Sequence, residues 1–339
     1  MADSGLSFLK DIVKEIGGEY TQLASEIDET ETYVDTGSYI FNALVSGSIY
    51  GGVSGNKITA ISGASSTGKT FFALAVVKNF LNTHPDGYCL YFDTESAITK
   101  SLLESRGIDT NRLVVVNVVT VEEFRTKTLK AVDIYLKKKE EERKPCIFVL
   151  DSLGMLSTNK EINDALAEKD TRDMTKAQLI KGAFRMLTLK LGQAKIPMLV
   201  TNHVYANVGG YGAPTVQSGG SGLMYSASTI IELSKSKEKD GTEVIGNIIK
   251  AKTFKSRLSK ENQEVQIRLF YDERGLDRHY GLLELGELGG MWKRNMGRYE
   301  FDGKKIAEKT ILENPETYFT PEVMEKLDVI AKGNFSYGA

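Results

Sequence analysis

Apolar runs alternate with helical patterns along most of the chain. Strands are predicted at residues 57–62, 88–93, 113–119, 146–151 and 197–202, and helices at 71–82, 99–106, 120–139 and 174–193. In the last of these helices Ile180, Phe184, Leu187 and Leu191 fall on one face. Strands that are apolar throughout and separated by helices indicate an α/β protein whose mostly parallel, twisted sheet has helices on both faces.

The pattern changes towards both ends of the chain. A short amphipathic helix is predicted before Gly17, and it is too small to fold alone. Consecutive strands at 229–233, 247–252 and 264–270, with Asp240-Gly241 as a turn, predict an antiparallel extension of the sheet. The stretch after 285 is glycine-rich and then weakly helical, which predicts a small C-terminal cap. We therefore expect three regions: an N-terminal oligomerisation helix and linker (1–33), a core (34–284) and a small C-terminal region (285–339).

Composition narrows the class of protein. A chain of 339 residues is long enough for about two domains, or for one large domain with small appendages. A net charge of −2 means that any polyanion must be bound by local geometry and not by a global basic field. Cys89 and Cys146 lie alone in apolar runs, as reduced cysteines do. The sequence has no signal peptide and no apolar run near 18 residues, which predicts a cytoplasmic protein without membrane contact.

One short motif, at residues 63–70, is typical of a phosphate-binding site. Gly63-Ala64-Ser65-Ser66-Thr67-Gly68-Lys69-Thr70 matches GxxxxGK[ST], and it lies between a predicted strand and a predicted helix, as a phosphate-binding loop must. Glycines let backbone N–H groups wrap the phosphates at a helix N-terminus. Lys69 neutralises the β and γ oxygens of ATP, and the Thr70 hydroxyl binds Mg²⁺. The segment 63–71 is thus predicted to bind ATP, with Phe71 as its last residue.

Carboxylates end two of the predicted strands. Asp151 closes the run 146–151, and a phosphate-binding loop needs such an acid to hold the Mg²⁺ hydration shell. Asp93 and Glu95 follow the neighbouring strand, where a carboxylate can orient and deprotonate the attacking water. Glu95 is the better candidate because it lies past the strand end, whereas Asp93 fits the role of a cap for the next helix.

These residues, together with further short motifs, resemble the RecA-type strand-exchange recombinases and are most similar to the phage UvsX branch. The resemblance covers about 36–283, and its ordered motifs are VDTGS at 34–38, LVSG at 44–47, the phosphate loop, Glu95, LDSL at 150–153, TNH at 201–203 and SGG at 218–220. It implies a RecA-like P-loop ATPase core.

The family resemblance also implies two DNA-binding loops, each after a strand end. The first covers about 157–173 and contributes Lys169 and Arg172; the second covers 204–223, with six glycines and no charged residue. Such a loop can bring backbone amides against phosphates and small apolar groups between bases. Met174 and Val208 match the positions from which the family inserts apolar side chains between base triplets. The same loop supplies Asn207, and Gly219 with Gly220 as a phosphate seat.

Three further roles follow from the resemblance. His203 stands where the family senses the γ-phosphate, and Lys250 and Lys252 match a lysine pair that reaches the ATP of the neighbouring protomer. The family's adenine-stacking aromatic is replaced by Leu102, so Arg106 is the candidate to stack on the base. Between 234 and 260 there are eight basic and three acidic residues, an excess that suits a weaker duplex DNA site or simply an exposed ribbon.

The sequence thus predicts a Mg²⁺-dependent, DNA-dependent ATPase that forms helical filaments of itself on single-stranded DNA and pairs this strand with homologous double-stranded DNA. Glu95, Lys69, His203, Lys250 and Lys252 would carry the catalysis. A loader protein and a single-strand-binding protein are expected partners, and the location is the host bacterial cytoplasm if a phage encodes the protein. Two alternatives stay open: a ring-forming helicase on the same core, and a recombination mediator without productive ATP turnover.

Overall fold

The computed structural model describes residues 2–17, 21, 23–26, 32–169, 173–206, 215–220, 222–301 and 303–338. The chain divides into two compact units, 1–32 and 33–339. In the first unit, helix α1 (Ala2–Ile16) ends at Gly17, which has a φ of +63°. Leu6, Phe8, Leu9 and Ile16 are all exposed on it.

The second unit holds the strands and the other α-helices of the described part of the chain. Its strands are β1 (Tyr33–Val34), β2 (Val53–Ser54), β3 (Ile58–Gly63), β4 (Tyr88–Asp93), β5 (Leu113–Asn117), β6 (Cys146–Asp151), β7 (Met198–Ala206), β8 (Thr215–Gln217), β9 (Thr229–Asp240), β10 (Glu243–Ser256), β11 (Glu264–Phe270), β12 (Arg294–Asn295), β13 (Arg298–Phe301) and β14 (Lys304–Ala307). Its helices are α2 (Tyr39–Ser46), α3 (Lys69–Thr83), α4 (Lys100–Ser105), α5 (Val121–Leu136), α6 (Asn159–Leu166), α7 (Lys176–Gln193), α8 (Gly222–Ser226), α9 (Leu282–Leu288), α10 (Glu308–Glu313), α11 (Pro315–Tyr318) and α12 (Pro321–Phe335).

The main sheet has the strand order β11-β10-β9-β3-β7-β6-β4-β5, and β8 pairs with β7. The pairs from β9 to β5 are parallel, whereas β9, β10 and β11 form antiparallel pairs. The predicted α/β class with an antiparallel extension is therefore confirmed. Because the carboxyl ends of the parallel strands meet at one edge, β3, β4, β6 and β7 bring their following residues together there.

Each face of the sheet has its own apolar core. Tyr91, Ile147 and Leu199 face one core with α2 and α3, and Phe92 and Phe148 face the other with α5 and α7. Successive residues of β4 and β6 point to opposite faces, and both faces are covered. This burial on both sides explains why these strands read as continuous apolar runs.

The C-terminal region differs from its prediction. Strands β12, β13 and β14 form a small antiparallel sheet where the sequence indicated only glycine-rich chain followed by weak helix. Strands of two to four residues are too short to show a recognisable alternation, so the pattern did not reveal them. Helix α9 spans the expected boundary between 284 and 285. That boundary stays a prediction, while the other division, near 33, lies beside the limit between the two compact units.

Buried contacts join the C-terminal helix α12 to the loop after α2. Oδ1 of Asp328 accepts hydrogen bonds from the Ser48 hydroxyl at 2.5 Å and from the Ile49 N–H at 3.0 Å. Leu327, Ala331 and other residues of α12 belong to the same apolar core as α2. The C-terminal region is therefore packed into the second unit and not attached by a linker.

Among the described residues, none of the helices is long and apolar enough to cross a membrane.

Candidate functional site

The phosphate-loop motif forms the turn between β3 and α3. Gly68 has a φ of +91°, a conformation that favours glycine. A Cβ added to Gly63 would lie 2.8 Å from the Leu233 carbonyl oxygen, so this position has no room for a side chain. Lys69 is buried, and its Nζ donates hydrogen bonds to the carbonyl oxygens of Gly63 at 2.9 Å and Ala64 at 2.8 Å. The loop thus already contains the cation that the motif predicts.

The electrostatics of Lys69 reflect two nearby carboxylates. Burial lowers the pKa of Lys69, while the negative charges of Asp151 and Glu95 oppose this shift. Both carboxylates are therefore close enough to act on the lysine. The predicted ATP-binding lysine, the predicted metal-binding carboxylate of Asp151 and the predicted base Glu95 thus belong to one electrostatic cluster.

Asp151 is held firmly at the end of β6. Its side chain is buried, the Tyr91 hydroxyl donates to Oδ2 at 2.7 Å, and the Thr201 hydroxyl donates to Oδ1. Tyr91 lies on β4 and Thr201 on β7, the two strands that flank β6. One hydroxyl from each neighbouring strand therefore restricts the rotation of the carboxylate.

The residues predicted to bind Mg²⁺ have suitable chemistry. Asp151 offers carboxylate oxygens, and half-buried Thr70 offers a hydroxyl in the first turn of α3. In the described ranges, no group of three or more His, Cys, Asp and Glu side chains could hold a metal by itself. Mg²⁺ is commonly held by one or two protein oxygens together with substrate phosphates and water. The donor set thus fits a magnesium ion that binds with a nucleotide.

Glu95 and Asp93 have different surroundings. Oε1 of Glu95 accepts a hydrogen bond from the Ser152 hydroxyl at 2.9 Å and lies 3.2 Å from Nε2 of His203. Asp93 is buried, and it accepts hydrogen bonds from the backbone N–H groups of Glu95 and Ile98. Asp93 therefore braces the loop after β4, whereas Glu95 projects from this loop with a side chain that is 37% exposed. This agrees with the preference for Glu95 as the base.

Arg106 lies beside the residue that follows the phosphate loop. Its guanidinium carbon is 4.7 Å from the centre of the Phe71 ring, and Arg106 itself is exposed. The structure thus brings together the two outermost residues of the predicted ATP site. Their contact with a base stays a prediction.

Lys250 and Lys252 are exposed neighbours on one face of β10. Lys250 forms an ion pair with Glu264 of β11, with Nζ and Oε1 2.7 Å apart. Residues 249 and 251 are buried on the opposite face, and Ile249 Cδ1 lies 3.4 Å from a Cβ built on Gly68 of the phosphate loop. Because side chains alternate along a strand, the two lysines point away from the phosphate loop of their own chain.

The predicted DNA loops are partly described. Helix α6 lies within the first loop and begins with a capping box formed by Thr158 and Glu161, a local signal that the loop prediction overlooked. Lys169 is exposed beyond this helix, and Met174 is 75% exposed just before α7. Arg172, Asn207 and Val208 lie outside the described residues.

The second loop begins as a hairpin and ends on α7. Strand β7 continues into it and pairs with β8, with Val204 opposite Gln217. Gly219 and Gly220 have positive φ values of 79° and 70°, and a Cβ on Gly220 would lie 2.9 Å from Ala177 Cβ. These glycines therefore have a packing role, while their use as a phosphate seat stays a prediction.

A short hydrogen-bonded path joins this loop to His203. The Asn202 side chain donates to the Ser218 carbonyl at 3.0 Å, and the Ser218 N–H donates to the His203 carbonyl at 2.9 Å. Hydrogen bonds thus connect Glu95 to His203, and His203 to the end of the second loop. Sequence reasoning assigned no role to Tyr91. It named Ser152, Thr201 and Ser218 only as parts of the family motifs, without their contacts in the site.

Comparison with known proteins agrees with this geometry. The RecA N-terminal domain model matches residues 6–277. The recombination and repair protein of Enterobacteria phage T4 is 33% identical over 91% of this chain and 77% of its own length. Protein RecA of Arthrobacter sp. (strain FB24) is 25% identical over 97% of this chain and 90% of its own length. Protein RecA of Desulforapulum autotrophicum is 26% identical over 91% of this chain and 85% of its own length. The resemblance found in the sequence is confirmed: the chain belongs to the RecA family.

Proposed function

We propose that this chain is an ATP-dependent recombinase. It polymerises on single-stranded DNA as a helical filament, pairs the bound strand with homologous duplex DNA and exchanges strands, and its ATPase activity depends on DNA. Membership of the RecA family supports this activity. The observation that carries the proposal is the contact of Glu95 with both Ser152 and His203, next to Lys69 and Asp151.

Each residue of the cluster has a distinct task in ATP hydrolysis. Lys69 binds the β and γ phosphate oxygens, and the backbone of residues 63–70 wraps the phosphates. Thr70 and Asp151 hold Mg²⁺, which neutralises charge on the phosphate oxygens. Glu95 orients the attacking water and accepts its proton, which requires Glu95 to be ionised. Arg106 and Phe71 contact the base.

His203 links the nucleotide to DNA binding. Its Nε2 lies 3.2 Å from Glu95, and its backbone carbonyl accepts a hydrogen bond from Ser218 of the second DNA loop. When the His203 ring donates a hydrogen bond to the γ-phosphate of ATP, its contact with Glu95 is lost. The movement of His203 shifts strand β7 and the loop after it, which carries Asn207 and Val208. ATP binding thus favours the conformation that binds DNA, and ATP hydrolysis leads to release of the DNA.

The second half of the ATP site comes from another copy of the chain. Lys250 and Lys252 face away from their own phosphate loop, so they can reach the nucleotide of the next protomer and stabilise charge in trans. Lys250 must then exchange its ion pair with Glu264 for the phosphate. A filament in which each ATP is contacted by two protomers is stabilised by ATP.

DNA contacts come from two loops with different chemistry. Lys169 and Arg172 of the first loop bind phosphates, and the exposed Met174, just before α7, inserts its apolar side chain between bases. The second loop uses backbone amides, with Gly219 and Gly220 at its end, and inserts Val208 between bases. Duplex DNA binds more weakly along the basic ribbon of β9 and β10. A loader protein and a single-strand-binding protein assist assembly in the cytoplasm.

Of the two alternatives, a ring helicase and a mediator without turnover, neither is favoured by the family membership. Lys69, Thr70, Glu95 and Asp151 are all present in the chain, which weighs against a mediator. A helicase would move along DNA and separate strands without regard to homology, and this difference can be measured.

A strand-exchange assay tests the proposal. Circular single-stranded DNA, linear duplex, ATP and Mg²⁺ should yield joint molecules when the duplex is homologous and none when it is not. Lys69→Ala should abolish both ATP turnover and exchange, while Lys78→Ala, an exposed lysine on the same helix, should leave both unchanged. Separation of tailed duplexes that lack homology, without joint molecules, would support the helicase instead.

A further inference from the structure

Tyr91 is a buried tyrosine whose hydroxyl donates a hydrogen bond to Asp151. Its side chain is 0% exposed within the core that β4 shares with α3, and the hydroxyl donates to Oδ2 of Asp151 at 2.7 Å. A phenylalanine would fill the same apolar space, so packing does not require the oxygen. A buried hydroxyl is costly unless it forms a hydrogen bond. The oxygen is therefore explained by its contact with Asp151.

The contact acts on the orientation of the carboxylate. Thr201 donates to Oδ1 from one side and Tyr91 donates to Oδ2 from the other, so each oxygen is fixed by one neutral hydroxyl. A carboxylate oxygen can accept more than one hydrogen bond, and the remaining acceptor sites stay available. Removal of one donor would let the carboxylate turn about its Cβ–Cγ bond.

We propose that Tyr91 is a positioning residue of the metal site: its hydroxyl sets the direction in which Asp151 presents its oxygens to the Mg²⁺ that binds with ATP. The inference rests on the proposed function, because it assumes a Mg²⁺-nucleotide at this site. Groups that orient metal ligands commonly change metal affinity 10- to 100-fold when they are removed.

Other hydrogen bonds hold the neighbouring main chain and Glu95, so the contact of Tyr91 acts on the Asp151 carboxylate alone. The backbone at Asp151 and Ser152 is braced by Thr94, whose N–H donates to the Asp151 carbonyl and whose hydroxyl accepts from the Ser152 N–H. Glu95 is held by Ser152 and His203. Loss of the Tyr91 hydroxyl should therefore affect the Asp151 carboxylate and leave the main chain and Glu95 in place.

The test is Tyr91→Phe, with Tyr88→Phe at the opposite end of the same strand as the matched control. Binding of a fluorescent, non-hydrolysable ATP analogue is followed as Mg²⁺ is added. In Tyr91→Phe the half-saturating Mg²⁺ concentration should rise about 10-fold or more, whereas it should stay at the wild-type value in the control. Analogue binding in Mg²⁺-free buffer should be equal in all three proteins, a result that a general structural defect would not give.

The outcomes separate the two proposals. Wild-type and Tyr91→Phe proteins with the same half-saturating Mg²⁺ concentration would overturn the role of Tyr91 and leave the proposed function intact. A wild-type protein whose analogue binding ignores Mg²⁺ would overturn the metal site of the proposed function and this inference with it. If Tyr91→Phe does not fold, 3-fluorotyrosine at position 91 replaces it. Its ¹⁹F resonance must shift when Mg²⁺ is added to the analogue-bound protein, and an unmoved resonance would overturn the inference.

Discussion

At the scale of single residues, two carboxylates only two positions apart serve different purposes. Asp93 is buried and satisfied by backbone N–H groups, while Glu95 is half open to solvent and contacts Ser152 and His203. A group that must accept a proton from water needs access to water, and Asp93 is only 3% exposed. The difference in environment favours Glu95 over Asp93 as the candidate base.

Glu95→Gln should keep nucleotide binding and DNA filaments but slow ATP hydrolysis by about 10²- to 10⁴-fold, because the amide cannot accept the proton. Steady-state phosphate release in the presence of single-stranded DNA measures this. Asp93→Asn is the comparison. It should mainly lower the free energy of unfolding, by about 1–3 kcal/mol, because the amide accepts weaker hydrogen bonds from the loop after β4. Turnover at the wild-type rate in Glu95→Gln would disprove the assignment.

Some residues of the site can be predicted from the sequence, and their long-range contacts cannot. Lys69, Thr70 and Glu95 could be named as candidates because the phosphate loop is contiguous and the acid follows a strand end. The contacts of Tyr91, Thr201 and Ser152 were not predicted, because their partners are 50 to 60 positions away along the chain. Which hydroxyl meets which carboxylate depends on strand order, and local periodicity carries no information about it.

At the scale of elements, the two faces of strand β10 have different surroundings because its side chains alternate. Its buried residues support the phosphate loop of the same chain, and its exposed lysines face outward. The sequence spacing of Lys250 and Lys252 was enough to place them on one face. The ion pair of Lys250 with Glu264 was not predictable, because the register between β10 and β11 is set by the fold.

The Lys250→Ala/Lys252→Ala protein should bind nucleotide but lose DNA-stimulated hydrolysis, because the charges that complete the neighbouring site are gone. When it is mixed with Glu95→Gln protein, some hydrolysis should return, since interfaces that combine the intact Glu95 of one copy with the intact lysines of the other are complete. ATPase activity across mixing ratios measures this. Lys304→Ala/Lys305→Ala, which changes exposed lysines on β14, should behave as wild type. Absence of recovery at every ratio would argue against action in trans.

The two DNA loops should respond differently to salt. Lys169→Ala/Arg172→Ala should reduce the slope of log affinity against log salt by about one unit for each phosphate contact removed. Val208→Ala should weaken strand exchange while leaving this slope unchanged, because no cation is lost. Single-strand binding titrations from low to moderate salt, combined with an exchange assay, compare them.

Lys160→Ala is the control for the first loop, because Lys160 is already paired with Asp164 at 2.7 Å. An unchanged slope in the Lys169/Arg172 variant would remove the first loop from the phosphate contacts. Unchanged exchange in Val208→Ala would leave the second loop without its wedge.

At the scale of the whole molecule, the chain combines an ATPase core with a separate N-terminal unit. Helix α1 exposes Leu6, Phe8, Leu9 and Ile16, and exposed apolar patches commonly mark interaction surfaces. The core and its antiparallel extension were predictable because long, buried strands give strong patterns. The small sheet β12–β14 was not, because its strands are short and mostly exposed.

The central claim is that the chain assembles as an open helical filament with ATP at each boundary between protomers. Electron microscopy of the protein with single-stranded DNA, Mg²⁺ and a non-hydrolysable ATP analogue tests this most directly. The account predicts extended helical filaments along the DNA that disappear without nucleotide. Closed rings around the DNA, with no continuous filament at any protein concentration, would contradict it.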